Sequence, residues 1–261
     1  MPQMSGMLGH RSWRRVNLHT LVLFLFWRSA AGWFGSFARS ALVATSLLVG
    51  SPESEYNSFA SRYDDLDGGT AAEVLGINRL RRLAGEQTRG DVLEIAVGTG
   101  LQSSYYNLHS LNTFTGIDLS QSMLSEASQK WNKKPELVAK HPRLQLMDAT
   151  NLEFSSESFD SVIDTFSFCT FSEPNKVVQE MVRVLKPDGV LVLLENSVST
   201  NPILAALQDA SEPIVTPLSK SCRWNVNVPA IVENQGDLLR LIDKRDEQLG
   251  TITLRVYTKK P

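Results

Sequence analysis

From residue 70 to the C-terminus, short apolar runs alternate with amphipathic stretches of helical length. Asp91–Ala96 holds Val92, Leu93 and Ile95 around one acid, Glu94. A nearly continuous apolar run of this length is the pattern of a strand buried on both faces of a parallel sheet. Further strands are expected over 113–117, 143–147, 159–166 and 189–195, with helices over 101–111, 121–131 and 175–185 between them. Thr70 stands three residues before Glu73 and ahead of Val74, Leu75 and Leu80, a capping-box pattern that opens an earlier helix. The Pro187-Asp188-Gly189 turn stops one helix and starts the next strand. Residues 238–244 and 251–258 close the chain, the latter alternating Ile252, Leu254 and Val256 with Thr253, Arg255 and Tyr257 like a half-exposed strand. Strands alternating with helices in this way predict an α/β fold, a doubly wound, mostly parallel sheet of seven strands. Residues 196–236 interrupt the rhythm, being polar, proline-bearing and without strand alternation.

Chemistry concentrates after the first strand. Gly98 and Gly100 follow it at once, and glycines there allow a tight turn and the close approach of a ligand to main-chain amides. The next strand ends at Asp118, a carboxylate at the carboxyl edge of the sheet where a ribose diol can donate two hydrogen bonds. A dinucleotide fingerprint would need a third glycine where Ser103 stands, and no GxxxxGK[ST] loop is present. A nucleotide-like ligand other than a dinucleotide is therefore expected.

Glu94, Ala96, Gly98 and Gly100 together resemble the E-x-G-x-G-x-G motif of class I S-adenosylmethionine-dependent methyltransferases, with Ala96 at the first glycine position. Asp118, Asp148-Ala149, Phe159-Asp160 and Leu185-Lys186-Pro187-Asp188-Gly189 recur in that family in the same order. The chain from about Tyr56 onward is most similar to the type 11 branch, which includes the ubiquinone and menaquinone biosynthesis methyltransferases. Tyr63-Asp64, residues 160–169, Leu194-Glu195-Asn196 and Cys222-Arg223-Trp224-Asn225 resemble a narrower group of membrane-anchored methyltransferase-like proteins. Some of these are mitochondrial and some, in animals, act on alkyl thiols; they tend to carry His where this chain has Asn196.

The resemblance implies a Rossmann-like methyltransferase fold over 53–261 and S-adenosylmethionine as cofactor. It assigns Glu94, Ala96, Gly98, Thr99, Gly100, Asp118, Leu119, Met123, Asp148, Ala149 and Thr165 to cofactor binding. Glu94 would serve the methionine end, Asp118 the ribose and Asp148 the adenine amine. A valine at Gly100 is expected to collide with the ligand. Tyr63, Phe166, Arg223 and Trp224 are the acceptor-side candidates, and 196–236, starting beside the cofactor, is expected to wall that side. Arg223 would either bind an acidic or quinone oxygen or brace an aromatic ring. The implied acceptor is small and lipophilic, a quinone precursor or a thiol; the alternative is a weakly catalytic cofactor-binding protein that assists assembly of a membrane complex. No residue presents itself as a catalytic base.

Charge is distributed unevenly. Residues 1–52 contain Arg11, Arg14, Arg15, Arg28 and Arg39 but no lysine and no acid, while the whole chain has a net charge of −2. The remainder is thus acidic, which argues against a nucleic-acid partner. The basic, acid-free leader reads as a targeting segment, with mitochondrial import favoured and the secretory pathway or plastid as alternatives. Leu21–Trp27 and Ala41–Gly50 each fall short of the roughly 20 apolar residues that cross a bilayer, so a membrane anchor there, inner-membrane included, would have to admit Arg28 or Arg39. Cys169 and Cys222 are the only cysteines and have no CxxC spacing, so no structural metal is expected.

Overall fold

A computed structural model describes residues 52–64, 70–219 and 221–261. The expected leader, with its targeting and anchoring roles, lies outside these residues. Helix α1 (Pro52–Phe59) comes first, then α2 (Thr70–Val74) and α3 (Ile77–Glu86). Strand β1 (Gly90–Ile95), strand β2 (Leu111–Asp118), helices α4 (Gln121–Trp131) and α5 (Pro135–Val138), strand β3 (Arg143–Leu146) and strand β4 (Phe159–Thr165) follow. Helix α6 (Pro174–Val184), strand β5 (Leu185–Asn196), helices α7 (Pro202–Leu218) and α8 (Val228–Glu233), and strands β6 (Leu239–Glu247) and β7 (Ile252–Lys259) complete the chain.

The strands form one seven-stranded sheet in the order β3-β2-β1-β4-β5-β7-β6. β7 runs antiparallel to both β5 and β6, and the other pairings are parallel. Successive side chains of a strand point to opposite faces, so both faces must be covered. Leu93, Ile95 and Val162 pack on one face with Val177, Val178 and Met181 of α6 and Val228 and Val232 of α8. Val92, Phe114, Ile163 and Val192 pack on the other with Leu80 and Ala84 of α3 and Leu124, Ala127 and Trp131 of α4. The sheet order reverses between β1 and β4, and a crevice opens there at the carboxyl ends, where open α/β sheets bind ligands.

Three local expectations change. In place of a helix over 101–111 the chain makes two short 3-10 turns, Leu101–Ser104 and Leu108–Ser110. Side-chain bonds compete with a helical ladder there: the Ser103 hydroxyl donates back to the Gly100 carbonyl at 2.6 Å, and Asn107 Oδ1 accepts from His109 N at 3.2 Å. Residues 185–189 belong to the start of β5 as an irregular stretch, since the pairing jumps from Phe159 with Leu185 to Ser161 with Val190. Finally, β7 is buried on both faces rather than half-exposed. It lies between β5 and β6, and Arg255 and Thr253 both bond Asp246 of β6.

Candidate functional site

A cavity of about 280 Å³ opens at the carboxyl edge of β1, β2 and β4. Among the cofactor candidates, Ala96, Gly98, Asp118, Leu119, Met123, Asp148, Ala149 and Thr165 line it, as do Tyr63 and Phe166 from the acceptor side. The turn after β1 brings its residues there through backbone geometry. Ala96, Gly98 and Gly100 all have positive φ, at 47°, 55° and 74°. At Gly98 an added Cβ would meet nothing closer than the Ala96 carbonyl at 3.9 Å, so this glycine leaves open space on the cavity side. Ala96 adopts a left-handed conformation that costs an L-residue roughly 1–2 kcal/mol and suits the family's glycine better.

Asp118 is held by main-chain donors. Its Oδ2 accepts from Gly98 N and its Oδ1 from Ser120 N, both at 2.8 Å, which leaves a lone pair on each oxygen for a diol. Burial raises its pKa, opposed by the N–H donors of Ser120, Gly98 and Leu119. Asp148 Oδ1 accepts from Thr150 N at 2.8 Å, a turn-stabilising bond made at the cavity wall.

Five candidates stand outside the cavity wall. Glu94 lies beneath the turn, 1 % exposed, where its Oε2 accepts from the Tyr106 hydroxyl at 2.8 Å. Burial pushes its pKa up to about 8, opposed by that bond and by Arg81, so at neutral pH it is mostly protonated. Thr99 donates to Asp64 Oδ1, and Lys130 pairs with the same carboxyl, which ties the N-terminal segment down beside the turn. At Gly100 a Cβ would sit 2.5 Å from Trp131 Nε1. The collision expected of Gly100→Val is therefore with α4 and not with a ligand. Arg223 donates to the carbonyls of Cys169 (3.4 Å) and Phe171 (2.5 Å), bracing the loop after β4 from behind. Trp224 does not line the cavity either, and its carbonyl accepts from Gln208. No described residue of 196–236 lines the cavity, because the 165–173 segment comes between.

The cavity is also walled by Tyr56 and Tyr63 from the N-terminal segment and by Phe166, Ser167, Thr170 and Phe171 after β4. Asn57 Oδ1 accepts from the Ser120 hydroxyl (2.7 Å) and Ser122 N (3.1 Å), docking α1 on the start of α4. Sequence reasoning missed Arg81, which is 4 % exposed. Its guanidinium donates to Thr165 Oγ1 at 3.3 Å and lies 5.0 Å from the Phe166 ring centroid, at a residue whose φ is +61°. The signal was present, since Arg81 occupies the apolar stripe of α3 with Ile77, Leu80 and Ala84. Asp164 and Glu195, the acids near the ends of two apolar strands, lie in segments the resemblance covers but were given no side-chain role, and both are fully buried. Among the described residues no cluster of three His, Cys, Asp or Glu could hold a metal, and no helix is long and apolar enough to cross a membrane.

The sheet order, the antiparallel β7 and the crevice at the switch point define a Rossmann-like methyltransferase fold. Residues 93–193 match the family described as a methyltransferase domain. The mitochondrial methyltransferase OMS1 of Saccharomyces cerevisiae is 26 % identical over 220 residues, 78 % of this chain and 45 % of that one. The ubiquinone/menaquinone biosynthesis C-methyltransferase UbiE of Syntrophotalea carbinolica is 33 % identical over 160 residues, 58 % of this chain and 64 % of that one. The chain thus spans less than two thirds of the length of either relative. The fold is shared with the N-methyltransferase NodS of Bradyrhizobium japonicum, solved with S-adenosylhomocysteine, at TM-score 0.59 and 14 % identity over 81 % of this chain and all of that one.

Proposed function

We propose that the chain transfers a methyl group from S-adenosylmethionine to a small lipophilic acceptor. One observation carries the reading: a single cavity joins a glycine turn and a main-chain-bonded carboxylate on one side to an aromatic wall on the other. The space at Gly98 and the spare lone pairs of Asp118 fit a nucleoside with a chain that must lie against backbone. Asp118 would hold the ribose hydroxyls, and Asp148 and Ala149 the adenine edge, with Met123 and Leu119 as apolar walls. When bound, the cofactor supplies a methyl group made electrophilic by its sulfonium. The protein's share is then orientation of the nucleophile and exclusion of water, which Tyr56, Tyr63, Phe166 and Phe171 can provide.

A quinone precursor or a thiol is the acceptor class this wall fits, and the relative named for quinone biosynthesis supports it. The basic, acid-free leader, together with a relative named as mitochondrial, supports a mitochondrial address. Calorimetry tests the cofactor assignment: S-adenosylhomocysteine should bind and NAD should not. Asp118→Ala should weaken binding on the order of a hundredfold, from the loss of two charge-assisted hydrogen bonds of about 1.5–3 kcal/mol each, less what water recovers. A loss below about threefold would return Asp118 to a structural role at the start of α4. Methyl transfer from labelled cofactor to a demethylquinol analogue separates an enzyme from a binding protein that assists assembly.

A further inference from the structure

Asp164 and Glu195 sit side by side near the carboxyl ends of β4 and β5, each 0 % exposed. Neither forms an ion pair with any described lysine, arginine or histidine. Two uncompensated buried charges would be prohibitively costly, so the pair's protonation is set by its hydrogen bonds. Glu195 accepts from the backbone N–H groups of Ser167 at 3.4 Å and Phe168 at 3.1 Å. Asp164 Oδ1 accepts from the Ser167 hydroxyl at 2.5 Å, whereas Asp164 Oδ2 is buried and meets no N–H or hydroxyl donor. The two carboxyls act on one another, the charge of Asp164 raising the pKa of Glu195. Burial pushes both carboxyls upward, and like charge adds to the rise at Glu195, so each is a better proton acceptor than a solvated carboxylate.

Ser167 connects this pair to the cavity, because it lines the wall while its hydroxyl bonds Asp164. We propose that Ser167 and the Asp164–Glu195 pair form a proton relay that receives the proton of a neutral acceptor as it is methylated. This rests on the methyltransferase reading above. The acceptor's bond to hydrogen breaks while its electron pair forms the bond to the methyl carbon, and the carbon–sulfur electrons return to sulfur. The acceptor's proton passes to Ser167 Oγ, and the serine's own proton moves to Asp164 Oδ1. The carboxyl pair gains one proton and sheds one negative charge, which a desolvated site favours. Product release returns the extra proton to water. Ser167 is the catalytic residue; Asp164 and Glu195 act through it. The other titratable groups around the pair are Asp118 from β2 and the thiols of Cys169 and Cys222, the former pushed up by its hydrogen bond to Cys222 and by burial. Glu94 is spoken for by Tyr106 beneath the glycine turn.

The test pairs each neutral acceptor with an ionised one, using hexanethiol against 4-nitrothiophenol and 4-propylphenol against 4-nitrophenol on the full chain. In Ser167→Ala and Asp164→Asn, kcat for the neutral probes should fall about a hundredfold, the scale of a lost general base, with KM little changed. The ionised probes should lose much less. The ratio of variant to wild-type rate on a neutral probe should climb with pH as the probe ionises by itself. A reading apart from turnover is the infrared absorption of buried carboxylic acids, from which Glu195→Gln should remove one component in the ligand-free protein while that of Glu94 stays. Equal losses on both kinds of probe, a ratio independent of pH, or an unchanged infrared spectrum overturns the relay alone. A wild-type chain that methylates none of the four probes nor the demethylquinol analogue overturns the methyltransferase reading and the relay with it.

Discussion

The two walls of the cavity are made of different material. On the side of β1, β2 and β3, turns and main-chain donors fix the geometry: Gly98 N and Ser120 N to Asp118, Thr150 N to Asp148. Each bond there spans a few residues or joins the ends of neighbouring strands. After β4 the wall is side chains held from a distance, with Arg81 on Thr165, Arg223 on the Cys169 and Phe171 carbonyls, and Glu195 on the amides of Ser167 and Phe168. A wall of turns admits few sequences, whereas a wall of braced side chains can be rebuilt residue by residue; under the function proposed above, the first would suit a constant cofactor and the second a variable acceptor.

The largest test of this contrast sets the two glycines of the turn against each other. Gly100→Val combines a positive φ with a Cβ driven into Trp131, and strain plus overpacking should remove roughly 2–5 kcal/mol of stability. Gly98→Val meets only the backbone cost, roughly 1–2 kcal/mol, but projects into the cavity and should abolish S-adenosylhomocysteine binding in a folded protein. Thermal melts and calorimetry on both variants separate packing from pocket. Equal destabilisation by the two would break the distinction.

This pair also shows what the sequence could and could not convey. The strand at 91–96, the turn, Asp118 and Asp148 lie within short segments whose spacing carries their geometry, so the fold and the convergence of these residues on one cavity were legible. What Gly100 faces was not, because Trp131 is 31 residues away and meets it only once α4 has packed on the sheet. Arg223 and Trp224 were named from the resemblance and from their place in 196–236, after the strand ending at Glu195. Only the packed structure reveals that neither lines the cavity and that Arg223 is spent on the Cys169 and Phe171 carbonyls. The helix expected at 101–111 failed for a local reason, the side-chain bonds of Ser103 and Asn107.

A smaller effect is expected from the acid beneath the turn. Glu94 has a folded pKa of about 8 against an ordinary value of 4.5, so the folded state binds the extra proton between those limits. Its contribution is fully present below pH 4.5 and is lost as pH rises towards 8, at up to about 1.4 kcal/mol per pH unit. Asp164 and Glu195 slope the same way. Glu94→Gln, which can still accept from Tyr106, should flatten the decline measured by urea unfolding from pH 5 to 8 by up to one proton's worth while leaving cofactor affinity within a few fold. A large affinity loss at unchanged stability would instead bring Glu94 into the site as a ligand.

The smallest and most discriminating change is Ala96→Gly. Ala96 is the one residue of the turn that departs from glycine while holding a φ of +47°. Left-handed backbone costs alanine roughly 1–2 kcal/mol, and glycine gives back about 0.4–1 kcal/mol through the greater entropy of its unfolded chain. The balance favours glycine by up to about 1 kcal/mol, which in a domain of this size raises Tm by roughly 2–4 °C. Because Ala96 lines the cavity, removing its methyl group also enlarges the cofactor-side wall, and affinity should change by no more than about threefold. If Ala96→Gly instead lowers Tm and weakens binding together, the methyl group is packing against the ligand, and the wall of turns carries specificity of its own through a side chain.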